Sequence, residues 1–177
     1  MILVFIDQAD GHIKKASFEA ASYAAKIAEQ TGTTAEAIVL GTVSDDLASL
    51  GNYGIKKVHT VADASLNHFD AQVYTKIIAQ ATDATGADII VFSNTTTGKA
   101  VAPRLSVRLK AGLVSGAVAL PDTSNGFVVK KSVFSGKAFA MIAVNTAKKI
   151  IALNPNSFNL SSGGAAAEVV PFAATIE

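Results

Sequence analysis

A chain of 177 residues that is half hydrophobic and only 16% charged has the makeup of one core-rich domain, able to bury roughly 70% of its unfolded surface, which excludes a disordered or coiled chain. Its formal net charge of +1 supplies no field for nucleic acid or an anionic membrane, and its Lys-Lys pairs are dispersed as solvated strand ends and turns. With no cysteine, disulfide frameworks, thiolate metal sites and thiol nucleophiles are ruled out.

The opening run ILVFI reads as a strand buried on both faces. Asp7 stops it short of a signal-peptide core, and no later run reaches membrane-spanning length, so a soluble, cytoplasmic chain without membrane insertion is expected. Residues 14–31 predict a helix with Phe18, Ala21, Ala25 and Ala28 on one face and Gly32 as its stop. Strand 35–40 follows, then a short helix 45–50 ended by Gly51, then strand 57–61, placed near a sheet edge by its mixed polarity. Asp70 caps a helix through Thr85, with Val73, Ile77 and Ala81 inward and Gly86 behind it. The apolar run 88–93 is a fourth buried strand, and a helix over about 99–110 carries Val101, Leu105 and Leu109 four apart.

Repeated strand–helix–strand units imply right-handed crossovers and a parallel sheet covered on both faces. After Gly112 the pattern changes to strands at 113–120, 126–135, 137–144 and 148–153, joined by short turns, which adds antiparallel strands or a ribbon in the C-terminal third. The expected fold is therefore α/β over residues 1–160. Residues 161–177, opening with SSGGAAA, read as a linker with one last strand at 169–172.

In such sheets ligands sit beyond the carboxyl ends of the strands. Here that rim comprises residues 7–11, 41–44 and 94–98. Asn94, Thr95, Thr96, Thr97 and Gly98 could hold a phosphate at a helix N-terminus, or the threonines could simply cap that helix. Arg104 and Arg108, one helical turn apart, could clamp an anion or remain solvated. No phosphate motif is complete. Residues 93–100 read SNTTTGKA, which lacks the first glycine and the final hydroxyl of a P-loop, and no G-x-G-x-x-G occurs. The ATP signature of universal stress proteins has one near miss, at Gly51, Gly54 and 64–65, after the wrong strand. His12, His59 and His68 lie scattered, read as surface or cap residues at element ends, and Asp45-Asp46 reads as a helix opening. No catalytic grouping and no metal-ligand spacing stands out.

Residues 98–116, GKAVAPRLSVRLKAGLVSG, resemble the corresponding segment of electron transfer flavoprotein α subunits, with Ala102-Pro103-Arg104-Leu105 the most specific tetrad. VFSGKAFA at 133–140 and IKKASFE at 13–19 resemble two further segments of that family, and the similarity runs along the whole chain. The resemblance implies the N-terminal, adenine-nucleotide-α-hydrolase-like domain of the α subunit, without the C-terminal domain that holds most FAD contacts. It implies FAD in the intact protein and not on this chain alone, and no catalytic residue here. It further implies a β subunit as heterodimer partner, and electrons passed from acyl-CoA or other dehydrogenases to a quinone oxidoreductase. A domain of this kind is expected to expose an apolar patch and to form a weak homodimer in isolation. The alternative is a stand-alone AMP- or ATP-binding protein of the universal-stress type, using Asp7, residues 94–98 and Arg104.

Overall fold

Five consecutive apolar residues in strand β1 (Ile2–Ile6) need cover on both faces, and in the computed structural model, which describes residues 1–177, all five are buried. Ile2, Val4 and Ile6 point into one core and Leu3 and Phe5 into the other, as the two-residue period of a strand requires. A two-stranded hairpin, β2 (Gln8–Ala9) and β3 (His12–Ile13), leads into helix α1 (Lys15–Thr31). Gly32 closes α1 in the left-handed conformation, φ 70°, its N–H returning to the carbonyls of Ala28 and Glu29. The small side chains Ala20, Ala21 and Ala24 of α1 are fully buried and let it lie close on the sheet.

Strand β4 (Ala35–Leu40), a 3-10 helix (Leu47–Tyr53), strand β5 (Lys57–Val61) and a second 3-10 turn (Ala64–Asn67) follow. Helix α2 (Ala71–Thr85) is capped by Asp70, whose carboxylate accepts from the Gln72 and Val73 amides at 2.9 and 3.1 Å, and ends at Gly86. Strand β6 (Ile89–Ser93) and helix α3 (Thr96–Leu109) complete the alternating half. Then come β7 (Gly112–Ala117), β8 (Val128–Val133), β9 (Ala138–Ala143), β10 (Lys149–Leu153) and β11 (Glu168–Pro171).

Nine strands form one sheet in the order β11-β5-β4-β1-β6-β10-β7-β8-β9. The seven from β11 to β7 are parallel, and only β8 and β9 run antiparallel to their neighbours. Helix α1 and the first 3-10 helix cover one face, while α2 and α3 cover the other. This is the expected α/β architecture: a mostly parallel sheet between helices, with an antiparallel ribbon added.

Strand β5 stands close to the edge, as its mixed polarity suggests: only β11 lies outside it, in parallel register from Glu168↔Lys57 to Pro171↔Thr60. Three details differ from the sequence reading. Strands β7 and β10 belong to the parallel part, with β10 inserted between β6 and β7, so the antiparallel addition is the β8–β9 ribbon alone. The short helix is a 3-10 helix that runs past Gly51 to Gly54, whose φ of 93° ends it. His59 stands in the middle of β5, buried, and not at an element end.

Candidate functional site

The chain proceeds from β1 to β4 and β5 on one side, then crosses back to β6 on the other. That places the topological switch point between β1 and β6, where the rim of an open α/β sheet offers a crevice. Asp7 follows β1, Gly41 follows β4 and Asn94 follows β6.

Asp7 and Asn94, which face each other across the switch point, are each held by another part of the chain. The Asp7 carboxylate, almost buried, pairs with Lys14 Nζ at 2.7 Å. Its amide donates to Ser17 Oγ at 2.8 Å, and that hydroxyl donates back to the Asp7 carbonyl at 3.3 Å. Across the crevice, Asn94 Nδ2 donates to Asn154 Oδ1 at 3.0 Å, and the Asn94 amide to the Leu153 carbonyl at 2.7 Å. Asn154 stands at the end of β10, a strand whose position beside β6 was not foreseeable from its own residues.

Thr95 is the residue before α3, with extended backbone and no side-chain cap bond. Thr96 opens the helix and is exposed, whereas Thr97 and Gly98 are buried. A Cβ on Gly98 would stand 2.0 Å from the Ser93 carbonyl oxygen, so glycine here lets the first turn of α3 rest on the end of β6. Arg104 lies away from this group. Eight residues into the helix, about 12 Å along its axis, its exposed guanidinium donates to the carbonyl of Ala100 at 2.7 Å. It lines a groove between α2 and α3 with Gln72, Lys76, Val107 and Arg108. Asn94, Thr95, Thr96, Thr97 and Gly98 are thus contiguous at the rim, and Arg104 is separate from them.

A cleft of about 410 Å³ opens at the carboxyl ends of β1 and β4, lined by Gln8, Asp10, Gly11, Thr42, Val43, Ser44 and Asn67. Its polar groups bond to each other. Gln8 Oε1 accepts from the Gly11 amide at 3.0 Å, and Asn67 Oδ1 from the Thr42 amide at 2.8 Å. Both side chains close over Gly41, where a Cβ would meet each of them at 2.7 Å. Val43 is its one hydrophobic liner, the charged liner is the carboxylate of Asp10, and no lysine or arginine lines it. A flavin needs apolar walls for its ring system and donors or cations for its diphosphate, and these liners do not fit that group.

The loops forming the cleft are stitched from outside. Ser44 N–H donates to the Gly11 carbonyl at 2.8 Å, and Asp45 accepts from His12 Nδ1 at 3.0 Å and the Ile13 amide at 2.8 Å. These bonds, the His12 one foremost, hold the Asp45 carboxyl below its ordinary pKa. Asp46, not Asp45, caps the following helix, accepting from the Ala48 amide at 3.1 Å. Burial pushes the Tyr74 hydroxyl up, with the Asp7 charge adding to it.

The resembling segment IKKASFE has a physical account in these contacts. Lys14 pairs with Asp7, Ser17 holds the Asp7 backbone, and Glu19 accepts three amides of the loop after β10. No group of three or more His, Asp or Glu side chains is placed to hold a metal ion, and no helix is long and apolar enough to cross a membrane.

The family model of the electron transfer flavoprotein domain matches residues 2–177. The chain is 26% identical over 160 residues to an electron transfer flavoprotein subunit alpha of Bacillus subtilis (strain 168), covering 90% of this chain and 49% of that protein. It is 27% identical over 170 residues to another, of Syntrophomonas wolfei, covering 95% and 52%. It is also 26% identical over 149 residues to the LctC subunit of a lactate dehydrogenase (NAD(+),ferredoxin) of Acetobacterium woodii, covering 83% and 36%. The chain spans about half the length of the α subunits it matches. With residues 2–177 inside that family's model and its α/β sheet in place, the chain belongs to the electron transfer flavoprotein family, on the α-subunit side.

Proposed function

We propose that this chain is the non-catalytic scaffold of an electron transfer flavoprotein α subunit: a platform for a β subunit, and a base for a FAD-holding domain supplied by the rest of the intact protein. The carrier would take electrons from dehydrogenases, acyl-CoA dehydrogenases among them, and deliver them to a quinone oxidoreductase. The match over residues 2–177 carries this reading. The rim supports it: the Asp7 and Asn94 side chains are engaged with Lys14 and Asn154, and the cleft beside them has the wrong lining for a flavin.

The test is a visible absorption spectrum after incubation with excess FAD and desalting. A colourless chain that nevertheless binds a purified electron transfer flavoprotein β subunit is the expected result. A stoichiometric flavin band on this chain alone would overturn the reading.

The alternative, a stand-alone AMP or ATP binder, would use residues 94–98 of the rim. It would have to break the Asp7–Lys14 pair to free a carboxylate for a ribose, and Arg104 stands too far along α3 to join that site. Calorimetric titration with both nucleotides separates the two, with no heat of binding expected.

A further inference from the structure

The two edges of the nine-stranded sheet differ. On one side β11 has four residues, begins with Glu168, ends with Pro171 and is followed by a segment packed on α2. Charge, proline and brevity are the usual devices that keep a sheet edge from pairing with another chain. On the other side β9 runs six residues, AFAMIA, with no charge and no proline, and no strand beyond it.

The register shows what this edge offers. Val144 N–H donates to the Phe127 carbonyl at 2.8 Å, and the β8–β9 partners continue from Val128↔Ala143 to Val133↔Ala138. Hydrogen-bonding direction alternates along an antiparallel strand. Residues 138, 140 and 142 therefore turn their amides and carbonyls toward β8, and Phe139, Met141 and Ala143 turn theirs outward. Phe139 and Met141 also expose their side chains, at 58% and 61%, and Lys130 lies 4.3 Å over the Phe139 ring. The opposite face of the ribbon is committed to the core through Val129 and Ile142.

We propose that β9 pairs antiparallel with β9 of a second copy of this chain, about a two-fold axis through Ala140. The outward groups of Phe139 then exchange both backbone hydrogen bonds with Met141 of the other copy, and the axis repeats the exchange. On the exposed face, one row across the four strands reads Lys130, Met141, Phe139, Ser132, and the axis generates the same row reversed. Each Phe139 ring meets a methionine thioether, a favourable contact. The two Lys130 side chains stay three strand spacings apart, about 14 Å, beyond the screening length at ordinary ionic strength. A second copy thus brings neutral apolar groups together without opposing like charges. The ribbon is short of the ~1,200 Å² of a standard interface, so the dimer is weak. The inference rests on sheet geometry alone, and its failure leaves the electron-transfer reading untouched.

Sedimentation equilibrium on the full chain, between about 10 µM and about 1 mM where weak contacts become visible, tests it. A monomer–dimer equilibrium is expected. Met141→Pro removes an outward donor without touching the β8 ladder, and Phe139→Glu places a charge at the seam; each should abolish the dimer with the circular dichroism spectrum unchanged. The chain has no cysteine, so the register can be read by oxidation. A mixture of Phe139→Cys and Met141→Cys chains should form a disulfide-linked heterodimer faster than either forms a homodimer. A monomer at every concentration, or a dimer indifferent to both disruptive variants, would overturn the proposal.

Discussion

The carboxylate of Glu19, on the second turn of α1, accepts the amide of Ser157 at 2.7 Å, and the amides on either side of Ser157 at 2.9 and 2.8 Å. One buried side chain therefore satisfies three consecutive donors in the loop that leaves β10. Asn156 stands there with φ 63°, a left-handed conformation that asparagine tolerates. Glu19→Gln replaces one acceptor oxygen with an amide that faces a donor, and should lower stability by about 1–3 kcal/mol. The urea midpoint should fall with an unchanged slope. An unmoved midpoint would show that the loop holds its shape without the carboxylate.

Gly98 sits where α3 meets β6, and its missing Cβ leaves room for the Ser93 carbonyl oxygen, 2.0 Å from where that atom would stand. Gly98→Ala forces the helix start away from the sheet, and should lower stability by about 1–3 kcal/mol despite alanine's better helix propensity. Thermal melting decides between the two effects. A stabilised variant would mean that α3 shifts freely at its N-terminus.

Much of this fold was legible because local signals agreed. Asp70 and Gly86 bracket a run with Val73, Ile77 and Ala81 inward, and α2 spans that bracket; ILVFI needed cover on both faces and has it. Lateral order was not legible. A strand's polarity records how buried it is but not its neighbour, so β10 between β6 and β7 could not be read, nor Asn154 beside Asn94. His59 looked like a surface residue because both its partners are distant in sequence. Glu36 Oε1 lies 2.7 Å away on β4, and the Phe172 ring, 6.4 Å off, arrives with the C-terminal segment. At the rim, the loop residues were foreseeable as a group, while their mutual hydrogen bonds depend on loop geometry that no local pattern encodes.

The Asp45 carboxyl titrates below its ordinary value of 3.8, because His12 and then the Ile13 amide bind its charged form. A carboxylate depressed on folding contributes stability that is present above the unfolded pKa and is lost as pH falls through the folded one. The tie between the loops after β1 and β4 should therefore loosen only in acid, below pH 3.8. An NMR titration of the Asp45 carboxyl carbon should show a midpoint under that value. His12→Ala should move it upward, and a midpoint unaffected by that substitution would remove His12 as the cause.

The glycines at 163–164 lie in the segment that reads as a linker, yet Gly164 rests against the 3-10 helix, where a Cβ would stand 1.9 Å from the Gly51 carbonyl oxygen. Just beyond it the chain is bound to the sheet: Ala167 N–H donates to Ala48 at 2.9 Å, Glu168 to Lys56 at 3.1 Å and Phe172 to Thr60 at 2.8 Å. Gly164→Ala should lift this strap and uncover the edge of β5. Gly163, with φ 91° but nothing within 4 Å of its Cβ position, provides the contrast. Alanine there carries only the left-handed penalty of about 1–2 kcal/mol and no collision. Hydrogen exchange at the Glu168 and Phe172 amides should accelerate strongly in Gly164→Ala and much less in Gly163→Ala. Equal protection in both variants would mean that β11 is held by its pairing with β5 alone, and that the close approach of Gly164 to Gly51 contributes nothing to it.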